Sequence, residues 1–203
     1  MTQLERMRAG LIYDPMDPEI LALQFPFLDL LRSYNELTSK DADKRQQYLK
    51  TFFAECGEDC YLEPPFYANW GGHHVHLGNR VYANFNLTLV DDGQIFIDDG
   101  VMIGPNVTIA TANHPILPAL REKGFQYNRD VHIEKNVWIG AGTVIVPGVT
   151  VGENSVIGAG SVVTKNIPAN VVAVGNPCRA MREIGERDQM YFYREQTIDW
   201  ENL

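Results

Sequence analysis

Two side chains offer reactive chemistry where polar turns leave a regular pattern: His114, in Thr-Ala-Asn-His-Pro, and Asn84, in Tyr-Ala-Asn-Phe-Asn. An imidazole titrates near neutrality, so His114 could take a proton from an alcohol, a poor nucleophile at pH 7 that needs a general base before it attacks an acyl group. One ring nitrogen would have to donate to a fixed acceptor so that the other keeps its lone pair. By type alone, however, a loop histidine is a solvated side chain, and Asn84 fits an ordinary turn residue as readily as a site. The other groups worth following are Thr164, Lys165, Arg179 and Arg182, a basic group in an acidic chain. They lie just beyond Ala141 and Ala159, whose spacing of 18 suggests a column of small residues. Such a column leaves a flat groove fit for a long phosphorylated ligand, though the spacing fits simple corner packing equally well.

The elements that would hold these groups are read from one period. Ile133, Ile139, Ile145, Val151, Ile157 and Val163 recur every six residues. An amphipathic helix would show i, i+3, i+4 and i+7, and a half-buried strand would alternate in twos, so neither explains this series. Six-residue repeats mark a parallel β-helix, here with three sides and about 18 residues per coil. Two places before each aliphatic stand Val131, Val137, Thr143, Val149, Ser155 and Ser161, small or β-branched as a cramped second inward position requires. Gly140, Gly152 and Gly158 follow three of the aliphatics and are expected at corners needing unusual backbone angles. Leu77, Ala83 and Leu89 show the same period, as do Ile97, Ile103 and Ile109, but the two sets are offset by two residues across Asp91-Asp92-Gly93. A tight turn there reconciles them. That register places Met102 over Tyr82 on the outer wall, giving a bound molecule a Tyr and Met surface with Asn84 and Asp92 close by.

Around this core the chain divides into a helical segment 1–60, a β-helix 61–180 and a tail 181–203. Thr2 to Glu5 has capping-box spacing, and Asp17-Pro18 opens a second helix. Ser39 is the expected cap of a third, ending near Gly57, and the three helices read as an appendage to the coil. The aliphatic register breaks over 110–130, an excursion long enough to suggest a purpose. The tail from Glu186 to Glu195 reads as a helix, with Met190, Tyr191 and Phe192 sealing the last coil.

Composition narrows the partners. With 45% hydrophobic and 21% charged residues this is an ordinary globular chain, and a net charge of −9 argues against nucleic acid, whose phosphates need a basic face. No run approaches the length of a membrane span, and the N-terminus lacks the apolar stretch of a secretory signal, so a cytoplasmic protein is expected. Cys56, Cys60 and Cys178 lack the spacing of a metal finger and read as reduced thiols.

Tyr-Ala-Asn-Phe-Asn (82–86), Asn-His-Pro (113–115), Asn-Val-Trp-Ile-Gly (136–140), Pro-Gly-Val-Thr-Val-Gly (147–152), Val-Ile-Gly-Ala-Gly-Ser-Val-Val-Thr-Lys (156–165) and Val-Gly-Asn-Pro-Cys-Arg (174–179) resemble the maltose/galactoside O-acetyltransferases of the hexapeptide-repeat acyltransferase superfamily. The resemblance implies an all-β core, a left-handed parallel β-helix with an N-terminal helical segment and a short C-terminal helix, despite the general preference for right-handed crossovers. It further implies a homotrimer with active sites between subunits, acetyl-CoA as co-substrate, no required metal, and a sugar hydroxyl as acceptor. On matching positions, His114 would be the base and Asn84 would hold the acceptor or orient the histidine. Tyr82, Asp92 and Met102 would line the acceptor pocket, and the Ala141 N–H would face the oxyanion. Ala141, Ala159, Thr164, Lys165 and Arg182, with Arg179 beside them, would meet coenzyme A. Where the family has an Asp-Tyr-Gly-Tyr-Asn-type segment, this chain has Asn69 to His74, one residue longer; by this resemblance Asn69 would stand in for the aspartate. The N-terminal acidic contact falls on Asp14 or Asp17. Three alternatives remain from the sequence: a different alcohol or an amine acceptor; a zinc lyase like the trimeric carbonic anhydrases, with the metal held across a subunit interface by His76, His114 and His132; and a scaffold without catalysis. The zinc pattern needs ligands about five residues apart, and position 119 is alanine.

Overall fold

The hexad series forms the interior of a three-sided parallel solenoid in a computed structural model that describes all 203 residues. Ile133, Ile139, Ile145, Val151, Ile157 and Val163 are each at most 1% exposed, and the smaller set from Val131 to Ser161 at most 2%. Each buried aliphatic contributes roughly 1.5–3 kcal/mol. The first wall stacks Glu55–Cys56, Val75–Leu77, Ile95–Ile97, Val131–Ile133 and Thr150–Val151. The second stacks Tyr61–Leu62, Tyr82–Ala83, Met102–Ile103, Trp138–Ile139, Val156–Ile157 and Val171–Val174. The third stacks Tyr67–Ala68, Thr88–Val90, Thr108–Ala110, Val144–Ile145 and Val162–Val163. Tyr82 pairs with Met102, twenty positions on, and Leu89 with Ile109, which is the register that two extra residues at Asp91-Asp92-Gly93 demand.

The corners differ from expectation in an instructive way. Left-handed backbone falls three residues after each aliphatic from Ile133 to Ile157, at Asn136, Gly142, Gly148, Asn154 and Gly160, with φ between 55° and 84°. Asparagine tolerates that region because its side chain bonds locally, and here Asn136 also donates to Asn154, and Asn154 to Asn170. The glycines directly after the aliphatics serve close approach instead. A Cβ on Gly140 would sit 2.5 Å from the Ala159 nitrogen, and one on Gly152 2.4 Å from that of Ala169.

Three helices precede the walls: α1 (Gln3–Arg8), α2 (Pro18–Asn35) and α3 (Ala42–Phe52). Thr2 and Glu5 form the capping box, and Asp17 caps α2 through the Glu19 N–H. Asp41, not Ser39, precedes α3. The helices are no appendage. Tyr34, Leu49 and Phe52 are fully buried against Leu62 and Phe66 in one continuous core, because the solenoid's first coil would otherwise expose its interior at the end. The first strand is Glu55–Cys56, so the walls begin before the expected boundary at 61. The boundary at 181 also moves, since Arg179–Glu183 is one strand, antiparallel to Val171–Val174, and it covers the open edge of the last coil. The tail helix is only Glu186–Met190. Tyr191–Tyr193, a run that favours strand, then turns back on Gln196–Thr197 through the left-handed Arg194. Met190 and Phe192 are therefore exposed, 52% and 67%, and seal nothing. No helix is long and apolar enough to cross a membrane.

The segment 110–130 leaves the third wall as an ordered arm. Ala112–Asn113 pairs antiparallel with Tyr127–Asn128, and a single turn of helix, Pro118–Arg121, sits at its tip. Below it, Asp91 is fully buried and accepts the Trp70 N–H at 2.7 Å and the Gly72 N–H at 2.9 Å, which pins the corner between the third and first walls. Burial pushes its carboxyl up to about 7, opposed by the N–H bond from Trp70 and reinforced by the charge of Asp92.

Gly140→Ala should cost roughly 1–3 kcal/mol through forced backbone displacement, whereas Gly185→Ala, with open space around it, should cost little; thermal unfolding of both checks this. Asp91 has its folded pKa above the ordinary value of about 4, so its contribution to stability is full at low pH and declines as pH rises from about 4 toward 7. Asp91→Asn removes that titration. Urea unfolding at intervals from pH 5 to 7 should show the stability gap between wild type and variant narrowing with pH; a gap that stays constant over that range would mean that Asp91 is held as an anion.

Candidate active site

The site residues fall on two different corners of the triangular section. Between the second and third walls, Tyr82, Asn84, Met102, Trp138, Gly140 and Ala141 line a shallow groove of about 320 Å³. Tyr82, Met102 and Trp138 stack in register on the outer face, each between 41% and 51% exposed. Asn84 lies one residue past the inward Ala83. Its Oδ1 accepts the Phe85 N–H at 2.8 Å, which turns the corner and leaves the amide Nδ2 uncommitted. The Ala141 carbonyl accepts from Gly160 at 2.8 Å, but the Ala141 N–H has no acceptor within the chain, and Ala141 is exposed. Ala159 stands one coil on in the same exposed position.

The expected basic group divides. Arg182 gives Asp188 two bonds of 2.7 Å and holds that carboxyl down to about 2. Its guanidinium is thus committed to the chain itself. Arg179 donates to the Cys178 carbonyl and makes no ion pair, and Thr164 and Lys165 are exposed beyond the third wall.

His114 stands at the other corner, between the third and first walls, on the arm. Its Nδ1 lies 2.8 Å from the Phe125 carbonyl, an atom that only accepts, so the proton is on Nδ1 and the exposed Nε2 has a free lone pair. Asp92, 8% exposed, sits on the same corner. Its Oδ2 accepts from Asn69 at 2.9 Å and its Oδ1 from Gln126 at 3.0 Å. Asn69 therefore faces Asp92 and donates to it. Asp17 is spent as the cap of α2, while Asp14 turns one oxygen to the Met16 N–H and stands beside the buried Tyr13. Tyr13, Gln126 and Asn128 were not anticipated. They meet across 113 to 115 positions of chain, with Gln126 donating to the Tyr13 hydroxyl and Asn128 3.2 Å from it, and no local pattern announces such a pairing. A cavity of about 500 Å³ lies behind Asp92, between α1 and the walls; His114 does not border it.

The three histidines of the zinc reading do not converge. His76 and His132 lie on the outer face of the first wall, each stacked on Phe96 at 4.6 Å, and no group of three His, Cys, Asp or Glu side chains is placed to hold a metal ion.

Residues 130–165 match the bacterial transferase hexapeptide (six repeats), and residues 6–57 match the maltose acetyltransferase hexapeptide capping motif. A galactoside O-acetyltransferase of Lactococcus lactis subsp. lactis (strain IL1403) is 50% identical over 195 residues, 96% of this chain and 94% of its own. The solved structure of a galactoside acetyltransferase in complex with coenzyme A superposes with a TM-score of 0.94 at 44% identity, covering 98% of this chain and 99% of that one. A hexapeptide-repeat acetyltransferase from Vibrio cholerae O1 biovar eltor, complexed with acetyl coenzyme A, gives 0.83 at 31% identity over 92% of this chain and all of that one. Sequence and fold agree along almost the whole length, and the chain belongs to the maltose/galactoside O-acetyltransferase family of hexapeptide-repeat acyltransferases.

Proposed function

We propose that this protein transfers the acetyl group of acetyl-CoA to a hydroxyl of a sugar, by direct attack, at sites built between the subunits of a homotrimer. The observation that supports it most is the fixed tautomer of His114, whose Nε2 is exposed and unoccupied by any donor. A second support is the separation of Asn84 from His114. They occupy different corners of one chain, so a site that uses both needs the His114 corner of one subunit against the groove of the next. The relative named above is an O-acetyltransferase of galactosides, and the solved relatives hold coenzyme A or acetyl-CoA.

In this reading the acceptor hydroxyl lies against Asp92 of one subunit and the Tyr82 and Met102 face of its neighbour, with Asn84 Nδ2 as donor. Nε2 of His114 takes the hydroxyl proton as the oxygen attacks the thioester carbon. The free Ala141 N–H receives the oxyanion, a contact of a kind worth about 2.7–4 kcal/mol. The C–S bond then breaks, and the imidazolium returns its proton to the departing thiolate, so the products are an acetyl ester and coenzyme A. The groove past Ala141 and Ala159 receives the pantetheine arm, and Lys165 and Arg179 offer charge to its phosphates. Thr164 and Arg182 border that path, Arg182 as the partner of Asp188.

His114→Ala should lower kcat roughly 10²–10⁴-fold, as loss of a general base does, while leaving coenzyme A affinity by calorimetry nearly unchanged. Trimers reassembled from equal amounts of inactive His114→Ala and Asn84→Ala chains should then recover about a quarter of the sites, because some junctions unite an intact histidine with an intact asparagine. No recovery, with trimers reformed, would place both groups of a site in one subunit.

A further inference from the structure

We propose that Gln126 is a positioning residue that sets the acceptor carboxylate and the catalytic imidazole as one unit, with Tyr13 of the N-terminal segment locking it in place. This rests on the reading of Asp92 as an acceptor contact.

The Gln126 side chain is 8% exposed and its Nε2 serves two oxygens, Asp92 Oδ1 at 3.0 Å and the Tyr13 hydroxyl. Its backbone is clamped as well. The Tyr13 N–H donates to the Gln126 carbonyl at 2.9 Å, and the Gln126 N–H to the Tyr13 carbonyl at 3.1 Å. The residue before it is Phe125, whose carbonyl fixes the tautomer of His114. One short stretch of the arm thus holds the carboxylate with a side chain and the histidine with a backbone oxygen. Asn128, 4% exposed, supports the same assembly by donating to the Asp92 carbonyl at 2.9 Å.

The carboxylate is held in a way that leaves it useful. An ionised carboxylate offers about four acceptor sites, two per oxygen. Asn69 takes one on Oδ2 and Gln126 one on Oδ1, which leaves each oxygen with a further acceptor site not used within the chain. Tyr13 is 1% exposed, and burial with the nearby charge of Asp92 pushes its hydroxyl up to about 12, so it stays protonated and accepts from Gln126 without competing as an anion.

The test is a double-mutant cycle on the trimeric enzyme, with the KM for a galactoside acceptor, the KM for acetyl-CoA and kcat measured for Asp92→Asn, Gln126→Leu and the pair. Gln126→Leu should raise the acceptor KM about tenfold or more, the value of a charge-assisted hydrogen bond, with the acetyl-CoA KM unchanged. Added to Asp92→Asn it should raise the acceptor KM no further, since its effect there passes through that carboxylate. Full additivity, or an unchanged acceptor KM in Gln126→Leu, overturns the proposal. If Asp92→Asn alone leaves the acceptor KM unchanged, the acceptor reading of Asp92 falls first and the proposal with it. Should Gln126→Leu not fold, Tyr13→Phe, which deletes a single oxygen, runs the same cycle with a smaller rise expected in the same constant and the same two outcomes against it.

Discussion

Everything in this protein depends on aliphatic side chains stacked at intervals of one coil. Each inward residue rests on its counterpart above and below, as Ile103, Ile139 and Ile157 do along the second wall, and backbone bonds between coils fix the rise. From Val131 to Ser161 the second inward position is valine, threonine or serine, while the earlier coils also place Leu87 and Ile95 there. Where a hydroxyl enters, it is satisfied by backbone: Thr143 donates to the Gly140 carbonyl and Ser155 to that of Pro168. Such a stack yields flat walls and sharp corners whose atoms have little freedom to move. Precise chemistry can then be carried by corners.

The corners are not equivalent. Those built on asparagine and glycine repeat regularly, and one of them leaves the Ala141 N–H without a partner. The corner between third and first walls is irregular, with an inserted aspartate pair and a long arm, and Asp91, Asp92, Thr111, Gln126 and Asn128 are buried there. Burying so many polar atoms is tolerable only because each finds a partner: Asp91 receives two backbone donors, and Asp92, Asn69, Gln126, Asn128 and Tyr13 satisfy one another. The regular corner carries the groove lined by Tyr82, Met102 and Ala141, and the irregular one carries the Asp92 carboxylate and the His114 imidazole. Within one chain the two corners are physically separate, and the proposal of a site between subunits rests on that separation.

Much of this was legible in the residues because it is periodic. The six-residue series fixed the solenoid, and the two-residue offset at Asp91 to Gly93 correctly set Met102 against Tyr82. Periodicity misled about the corner glycines, since a glycine required by close approach and one required by positive φ look alike in sequence; only the backbone distances separate Gly140 from Gly142. The plug formed by Tyr34, Phe52 and Phe66 was hidden because helix patterning shows an apolar side and not what covers it. The bracket of Tyr13 with Gln126 and Asn128 joins residues over a hundred positions apart and has no local mark at all. Arg182 belongs to the basic group seen in the sequence, and its pairing with Asp188 is equally unmarked there.

The central claim is that a base on one subunit's irregular corner acts on a thioester lying in the regular groove of the next. A crystal structure of the assembled protein with coenzyme A bound tests it most directly. The account predicts the coenzyme sulfur beside the Ala141 N–H of one subunit and within reach of Nε2 of the His114 of another. A sulfur lying away from Ala141, or approached only by the histidine of the same chain, would contradict it.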